Sequence, residues 1–303
     1  MYGLRIKMER QMKKDFLVFT CKKAWQETFI FESLRVKGHS VDIVDESNFH
    51  TFKPIYSYKN VIVYPPTHLL TQINNIIDNY YRDSFIIQHD TTDYEHVQRW
   101  TNIPPNLVMQ REYTEETINP YDCPIYGMHF PMPSIYDASQ QQKIIDVSFM
   151  ATMTNLRRKP FAEKVLELAN DKLSHLNWHV VVTPQSVRTP EEFKRVANSS
   201  KIGLHYFGNS YDSVRVWELA STKTAIVMPK LRLKSTMDEH MPFKEYCEIK
   251  NDFSDLEEKI MFLLDNDRWK DYANRAYADY NDNHTPQKCF DKYYETIMRY
   301  AKK

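Results

Sequence analysis

The chain has 303 residues, with 40 basic residues balanced by 40 acidic ones, and only five glycines. Average usage of about 7% would give roughly 21 glycines. The sequence around the five fits neither G-x-G-x-x-G nor G-x-x-x-x-G-K-[ST], which excludes the two common glycine-rich phosphate motifs. A phosphate site in this chain must therefore use basic side chains and helix N-termini.

The remaining composition is that of an ordinary folded protein. Hydrophobic residues make up 42% of the chain, enough for a packed core, and the length predicts two domains. The four cysteines are far apart, which argues against a disulfide framework or a zinc site. No apolar run approaches the ~18 residues of a membrane span. We therefore expect a cytoplasmic protein, and the neutral total charge favours neither nucleic acid nor a membrane as partner.

Short apolar runs alternate with helical patterns in the first half of the chain, which predicts an α/β architecture with a parallel sheet. Gly38 is placed to end the first helix in the left-handed conformation. Residues 119–136 contain four prolines and predict a linker. The predicted strands are 15–20, 40–46, 60–66, 84–90 and 106–112, and the predicted helices are 24–37 and 69–81.

The alternation restarts in the second half, which predicts a second α/β domain. From residue 254 onward the chain is predicted to be helical, with Ser254 and Glu257 forming a capping box. Two such domains facing each other would bind a ligand in the cleft between their strand ends. The predicted strands are 146–152, 178–184, 201–207 and 224–230, and the predicted helices are 159–170, 190–199 and 213–222.

The most informative segment is 201–230, where a strand, a polar loop and a helix follow one another. Asp212 or Ser213 can cap the helix. Arg215 and Glu218 are three residues apart, so they share one face near the positive end of the helix. A carboxylate there can accept both hydroxyls of a ribose, and an arginine beside helix N–H groups can hold a diphosphate. The alternative is a surface ion pair between Arg215 and Glu218, since such pairs are common.

This segment resembles the sugar-nucleotide site of GT-B glycosyltransferases, especially the CgeB-like (spore-maturation-type) branch of the group 1 glycosyltransferases. The family pattern S-x-R-x-x-E-x-x-A, followed by a strand that ends near a proline, is matched by Ser213, Arg215, Glu218, Ala220 and Pro229. Residues 146–169 and 253–285 also resemble family stretches, so the resemblance covers most of 106–295.

The resemblance implies a GT-B fold of two Rossmann-like domains facing a central cleft, with a C-terminal helix crossing back to the first domain. We place the acceptor domain at 1–135, the nucleotide-sugar domain at 136–283 and the crossing helix at 284–303. The implied donor is a nucleotide-diphosphate sugar, expected to be UDP-linked, with no metal and no other cofactor. Glu218 would bind the ribose, and Arg215 and Ser213 the phosphates.

Several positions depart from the family pattern. Ser210 stands where many group 1 enzymes carry a glutamate, and we count it among the donor contacts. Glycines usual in the family are replaced by Ala151 and Thr222. These departures leave open a non-catalytic relative, either a sugar-nucleotide or glycan-binding protein or a coat-maturation protein.

Three further residues are candidates for the site. Arg158 belongs to a basic cluster at a predicted helix start, which is unfavourable unless an anion is bound nearby. The alternative is a solvated basic loop. His89 and Asp90 end a predicted strand of the first domain, where the acceptor would bind, and either is suited to act as the general base. The alternative for Asp90 is a turn with the threonines that follow it.

The sequence leaves the acceptor and the oligomeric state open. A glycan, a protein and a hydroxymethylated base of viral DNA are the acceptor classes we consider, in a bacterium or a virus-infected cell. DNA would require a basic cleft, which the neutral total charge supports only weakly. The residues available to line one are Lys22, Lys23, Arg157, Arg158, Lys159, Lys230, Arg232 and Lys234.

Overall fold

A computed structural model of the chain shows two compact units, each built on a parallel sheet. The first unit comprises residues 1–110, 116–126 and 290–303, and the second comprises 111–115 and 127–289. The structure describes residues 13–21, 25–64, 67–90, 96–111, 113–128, 142–153, 156–183, 189–208, 211, 213–233 and 244–301, with the main chain alone at 25–29 and 190. The predicted domain boundary at 135/136 lies outside the described residues.

The first unit contains a six-stranded sheet in the order β2-β1-β3-β4-β5-β6. Gly38 follows its first helix with φ of 89°, the left-handed end predicted for it. The strands are β1 Lys13–Phe19, β2 Val41–Val44, β3 Ser57–Val63, β4 Phe85–Asp90, β5 Leu107–Gln110 and β6 Ile125–Gly127. The helices are α1 Trp25–Val36 and α2 Leu70–Ile76, and a π-helix at Ile77–Tyr81 continues α2.

The last helix, α8 (Pro286–Tyr300), belongs to the first unit from Phe290 onward, as the predicted crossing helix requires. Two tyrosine hydroxyls of this helix form hydrogen bonds with histidines of that unit. The Tyr294 hydroxyl lies 3.0 Å from Nε2 of His39, and the Tyr293 hydroxyl lies 3.0 Å from Nδ1 of His89. The tyrosine-rich tail therefore completes the core of a unit that begins at the other end of the sequence.

The second unit has a five-stranded sheet in the order β11-β10-β9-β7-β8. The chain leaves β7 toward β8 on one side and returns to β9 on the other, so the topological switch point lies between β7 and β9. The strands are β7 Ile145–Thr152, β8 Trp178–Thr183, β9 Ser200–Leu204, β10 Ala225–Pro229 and β11 Cys247–Ile249. The helices are α3 Lys159–Asn170, α4 Pro190–Ser199, α5 Val214–Ser221, α6 Leu256–Leu264 and α7 Trp269–Asp279.

Both faces of this second sheet are covered by apolar side chains. Along β10, Val227 packs in the cluster that holds Val165 of α3, while Met228 packs in the cluster that holds Leu219 of α5. A Cβ on Gly203 would lie 2.5 Å from a methyl group of Leu219, so only glycine lets α5 approach β9 this closely. Gly203 thus fixes the position of the helix that carries the candidate site.

Lys143 ties together the two helices on one face of this sheet. Its ammonium donates to the Ala197 carbonyl at 3.2 Å and the Thr222 carbonyl at 2.9 Å, near the C-terminal ends of α4 and α5. A third bond reaches the Thr224 hydroxyl at 3.1 Å. Burial lowers the pKa of Lys143 to about 7.

Three local predictions are wrong. The helix predicted to start at Ser254 begins at Leu256, because the Ser254 hydroxyl donates to the Asp252 carboxylate at 2.8 Å instead of capping. The predicted linker contains β6, an edge strand. The strand predicted to run to Phe207 ends at Leu204. None of the helices in the described part of the chain is long and apolar enough to cross a membrane.

Candidate functional site

A cavity of about 270 Å³ opens at the switch point of the second sheet. The C-terminal end of β7 forms one wall, and the residues that follow β9 form another. The start of α5 and the side chain of Arg158 complete the lining. In open α/β sheets, ligands bind at this place, outside the carboxyl ends of the strands. Ser213, Arg215 and Arg158 of the predicted donor site therefore share one cavity.

The N-terminus of α5 forms the polar end of the cavity. Ser213 caps this eight-residue helix, and its hydroxyl accepts a hydrogen bond from the Arg215 N–H at 3.3 Å. The first N–H groups of a helix have no partner within the helix, and the helix dipole gives this end a partial positive charge. An anion in the cavity would face both these N–H groups and the partial positive charge.

Arg158 is held in place by its neighbours on two sides. Its Nη1 donates to the Thr152 carbonyl at 3.1 Å, at the end of β7. A Cβ on Gly208 would lie 2.5 Å from Nη2, so the guanidinium rests directly against a glycine backbone. Burial, and then the nearby Arg215 guanidinium, lower the pKa of Arg158. The two positive guanidinium groups repel each other, and a bound anion would reduce this repulsion.

Arg215 is oriented by an aromatic ring and a carboxylate. Its guanidinium carbon lies 3.4 Å from the centre of the Phe193 ring of α4. Its Nη1 lies 2.6 Å from Oε2 of Glu218. The ion pair that was the alternative reading of this motif is therefore present. The Arg215 side chain nevertheless retains 33% of its exposure and lines the cavity, so it is accessible to a ligand.

Glu218 lies one turn further along α5, outside the described residues that line the cavity. Its side chain is only 8% exposed. The geometry thus shows Glu218 paired with Arg215, while a ribose contact stays a prediction. Ser210 lies outside the described residues, so its predicted donor contact stays a prediction as well.

His89 and Asp90 end β4, as predicted, and both are fully buried. Burial lowers the pKa of His89 to about 3, and its Nδ1 faces the Tyr293 hydroxyl. Asp90 accepts a hydrogen bond from the Gln98 N–H at 3.2 Å. Both side chains therefore form hydrogen bonds inside the first unit. Their role as the base that activates the acceptor stays a prediction.

Comparison with known proteins agrees with the location of this site. Residues 157–295 match the family profile described as Glycosyl transferase-like. This segment is similar to that family. It contains Arg158, Ser213, Arg215 and Glu218, and it ends within α8. By sequence, no curated protein matches the chain significantly.

The two parallel-sheet α/β domains match solved GT-B glycosyltransferases, which confirms the predicted fold class. An alpha-glucosyltransferase in complex with UDP and a 13-mer DNA has a TM-score of 0.57 and 12% identity, over 94% of this chain and 100% of that one. A DNA-modifying beta-glucosyltransferase has a TM-score of 0.55 and 12% identity, over 93% and 99%. Anabaena HepE in complex with UDP-glucose has a TM-score of 0.51 and 9% identity, over 95% and 100%.

Sequence reasoning missed three residues around the cavity between β7 and β9. Gly208 and Phe193 position the two arginines, and His205 lines the cavity beside them. The apolar run predicts a strand that continues to Phe207, which places His205 inside the sheet and not at a strand end. Ending the strand at Leu204 would have marked His205 as the first residue beyond a strand end.

Proposed function

We propose that this chain is a glycosyltransferase whose donor, a UDP-linked sugar, binds in the cavity between β7 and β9. The observation that carries the proposal is the convergence of Arg158, Arg215 and the capped N-terminus of α5 on one cavity at the switch point. Cationic side chains and helix N–H groups together are the groups that hold diphosphates in proteins.

In the proposed reaction, the bond between the sugar and the diphosphate breaks and the sugar passes to an acceptor hydroxyl. Negative charge then develops on the leaving diphosphate, and fixed positive groups lower the energy of that state. Arg158 and Arg215 supply that charge. Glu218 binds the ribose and orients Arg215, Ser213 contacts the phosphates, and Ser210 is a further donor contact.

A panel of nucleotide sugars, beginning with UDP-glucose, tests the donor part of the proposal. Thermal shift measures binding. The release of nucleoside diphosphate in the absence of acceptor measures slow hydrolysis of the donor. A bound donor raises the melting temperature by mass action. We expect Glu218→Gln to abolish or strongly weaken this shift. Glu167→Gln is the matched control, since Glu167 also forms an i,i+3 pair, with Lys164, on the exposed face of α3. If no donor binds, or Glu218→Gln behaves like the control, the proposal fails.

For acceptor activation we propose Asp90 or His89, should the reaction invert the sugar configuration. Asp90→Asn keeps the size of the side chain and removes the charge. If Asp90 is the base, transfer to an acceptor falls while donor binding is kept. Equal transfer by Asp90→Asn and the wild type would restrict Asp90 to its packing role.

The acceptor is proposed by class. Two structures of the same fold act on DNA or contain it, according to their descriptions. Arg157, Lys159 and Lys230 are exposed in the second unit and could contact phosphates. If duplex DNA is the acceptor, its affinity must fall steeply with salt, because phosphate contacts release counterions. Binding that does not depend on salt, or no binding, would leave a glycan or a protein as the acceptor.

Two finer assignments complete the proposal. We place the chain in the CgeB-like branch, on the pattern from Ser213 to Pro229, and in the cytoplasm, on the wide spacing of its cysteines.

The alternative function is a non-catalytic sugar-nucleotide or glycan-binding protein or a coat-maturation protein. The pairing of the buried Glu218 with Arg215, outside the described residues that line the cavity, is the observation that favours it. Such a protein would bind the donor and release no nucleoside diphosphate.

A further inference from the structure

His205 is a buried histidine in the wall of the cavity. It is the first residue after β9, and its backbone N–H donates to the Val227 carbonyl at 2.9 Å. Only 3% of the residue is exposed. Its Nε2 is buried and has no hydrogen-bond partner among the residues that the structure describes. A buried polar atom left in this way has a free-energy cost, and the residue itself lines the cavity together with Arg158 and Arg215.

The charges around His205 are positive. Among the residues that the structure describes, Arg158 and Arg215 are the charged groups that act on it, and both line the same cavity. Glu218 faces Arg215 and pairs with it. The flanking strands bring no ionisable side chain to the site, since β7 contributes the apolar and hydroxyl residues Phe149–Thr152 and β10 contributes Val227. Burial, and then the two guanidinium groups, lower the pKa of His205 to about 3, so the imidazole is neutral in the empty site.

We propose that His205 takes up one proton from solvent when a nucleotide sugar binds, and then donates a hydrogen bond from its imidazolium to the diphosphate. This inference rests on the proposed function, because it assumes that the diphosphate occupies the cavity. The negative charge of the diphosphate offsets the two guanidinium groups and favours the protonated ring. No covalent bond changes apart from the new N–H. By linkage, donor binding and protonation of His205 promote each other.

The proton is counted by calorimetry. UDP-glucose is titrated into the protein at about pH 6, in buffers that differ in ionisation enthalpy. UDP-glucose is the suitable probe, since a terminal phosphate such as that of UDP itself titrates near pH 6. We expect proton uptake at this pH, and an affinity that rises as the pH is lowered, by at most about tenfold for each pH unit.

Two variants assign the proton to its residue. His205→Asn keeps a polar side chain that does not titrate, and we expect it to lose the proton uptake and the pH dependence of affinity. His175→Asn is the matched control, since His175 is exposed in the same unit. We expect the control to behave as the wild type. Side-chain ¹⁵N spectra of the wild type give a second measurement that needs no folded variant: the His205 signals should move from neutral to imidazolium values when UDP-glucose is added.

The outcomes separate this inference from the function it rests on. Binding of UDP-glucose without proton uptake, uptake that persists in His205→Asn, or neutral His205 signals in the complex would each overturn the role of His205 and leave the donor site standing. If no nucleotide sugar binds to the wild type, the proposed function fails and the inference fails with it.

Discussion

Replacing Gly208 by alanine should weaken donor binding while leaving the fold intact. The added Cβ would lie 2.5 Å from Nη2 of Arg158 and 3.1 Å from its Cζ. These atoms need about 3.4 Å or more, so the guanidinium must move by about 1 Å. The obstacle is the far end of a flexible side chain, so the backbone does not have to adjust. The φ of Gly208 also lies outside the left-handed region, so alanine adds no backbone strain there.

The size of the effect follows from the contacts of Arg158. A shift of this kind breaks the 3.1 Å bond to Thr152 and misaligns the guanidinium for the diphosphate. A hydrogen bond to a charged group is worth about 1.5–3 kcal/mol. The dissociation constant for UDP-glucose should therefore rise by roughly 10- to 150-fold.

A double-mutant cycle tests this reasoning directly. Calorimetry with UDP-glucose would compare the wild type, Gly208→Ala, Arg158→Ala and the double variant. If alanine at 208 acts through Arg158, the double variant binds as weakly as Arg158→Ala alone. Unchanged affinity in Gly208→Ala, or additive losses in the double variant, would refute the reasoning.

Gly203→Ala provides the matched steric control. Its Cβ would meet Leu219 at the same 2.5 Å, but inside the packed core rather than at a flexible side chain. Overpacking of a core costs about 1–3 kcal/mol. We therefore expect Gly203→Ala to lower the melting temperature and Gly208→Ala to leave it near that of the wild type.

Three further predictions concern the support of the site and of the two units. Phe193→Leu removes the aromatic ring that contacts the Arg215 guanidinium. Calorimetry should show UDP-glucose binding weakened about two- to fivefold, which is the contribution of a partly exposed cation–π contact. Unchanged affinity would contradict a role for the ring. Burial lowers the pKa of Lys143 to about 7. Above that pH the unfolded chain therefore binds more protons than the folded one, and stability rises toward pH 10, by at most about 1.4 kcal/mol per pH unit. Thermal denaturation should show this rise in the wild type and a smaller one in Lys143→Met; equal slopes would contradict it. Tyr293→Phe leaves Nδ1 of His89 without its hydroxyl partner and should lower the free energy of unfolding by about 1–3 kcal/mol, measured by denaturant unfolding. If UDP-glucose binding changes as well, the effect is not confined to the first unit.

The fold could be predicted because the strands of a buried parallel sheet are continuous apolar runs. β7 was found within one residue of its observed bounds for this reason, and α3 was found through its helical pattern, with Pro160 in the first turn. The short strands β6 and β11, of three residues each, carry too little pattern to be recognised. The capping box failed at Ser254 because a nearby carboxylate competed for its hydroxyl.

The site could be predicted only in part, since its key distances join residues far apart in sequence. Ser213 and Arg215 were found because a strand, a loop and a capped helix leave a local signature. The ion pair between Arg215 and Glu218 could be predicted as an alternative, because the two residues lie three positions apart on one helix. Nothing in the sequence near Gly208 says that an arginine from the loop after β7 will rest on it. Contacts of this kind arise only when the chain is folded.

The passage of α8 into the first unit has a consequence for synthesis on the ribosome. Domains generally fold as they emerge, from the N-terminus onward. Here Tyr293, which packs against His89, is made only after the whole of the second unit. The unit that emerges first must therefore wait, with part of its interior open to water, until the second unit is complete. We expect the second unit to reach its native structure first, although most of it leaves the exit tunnel later.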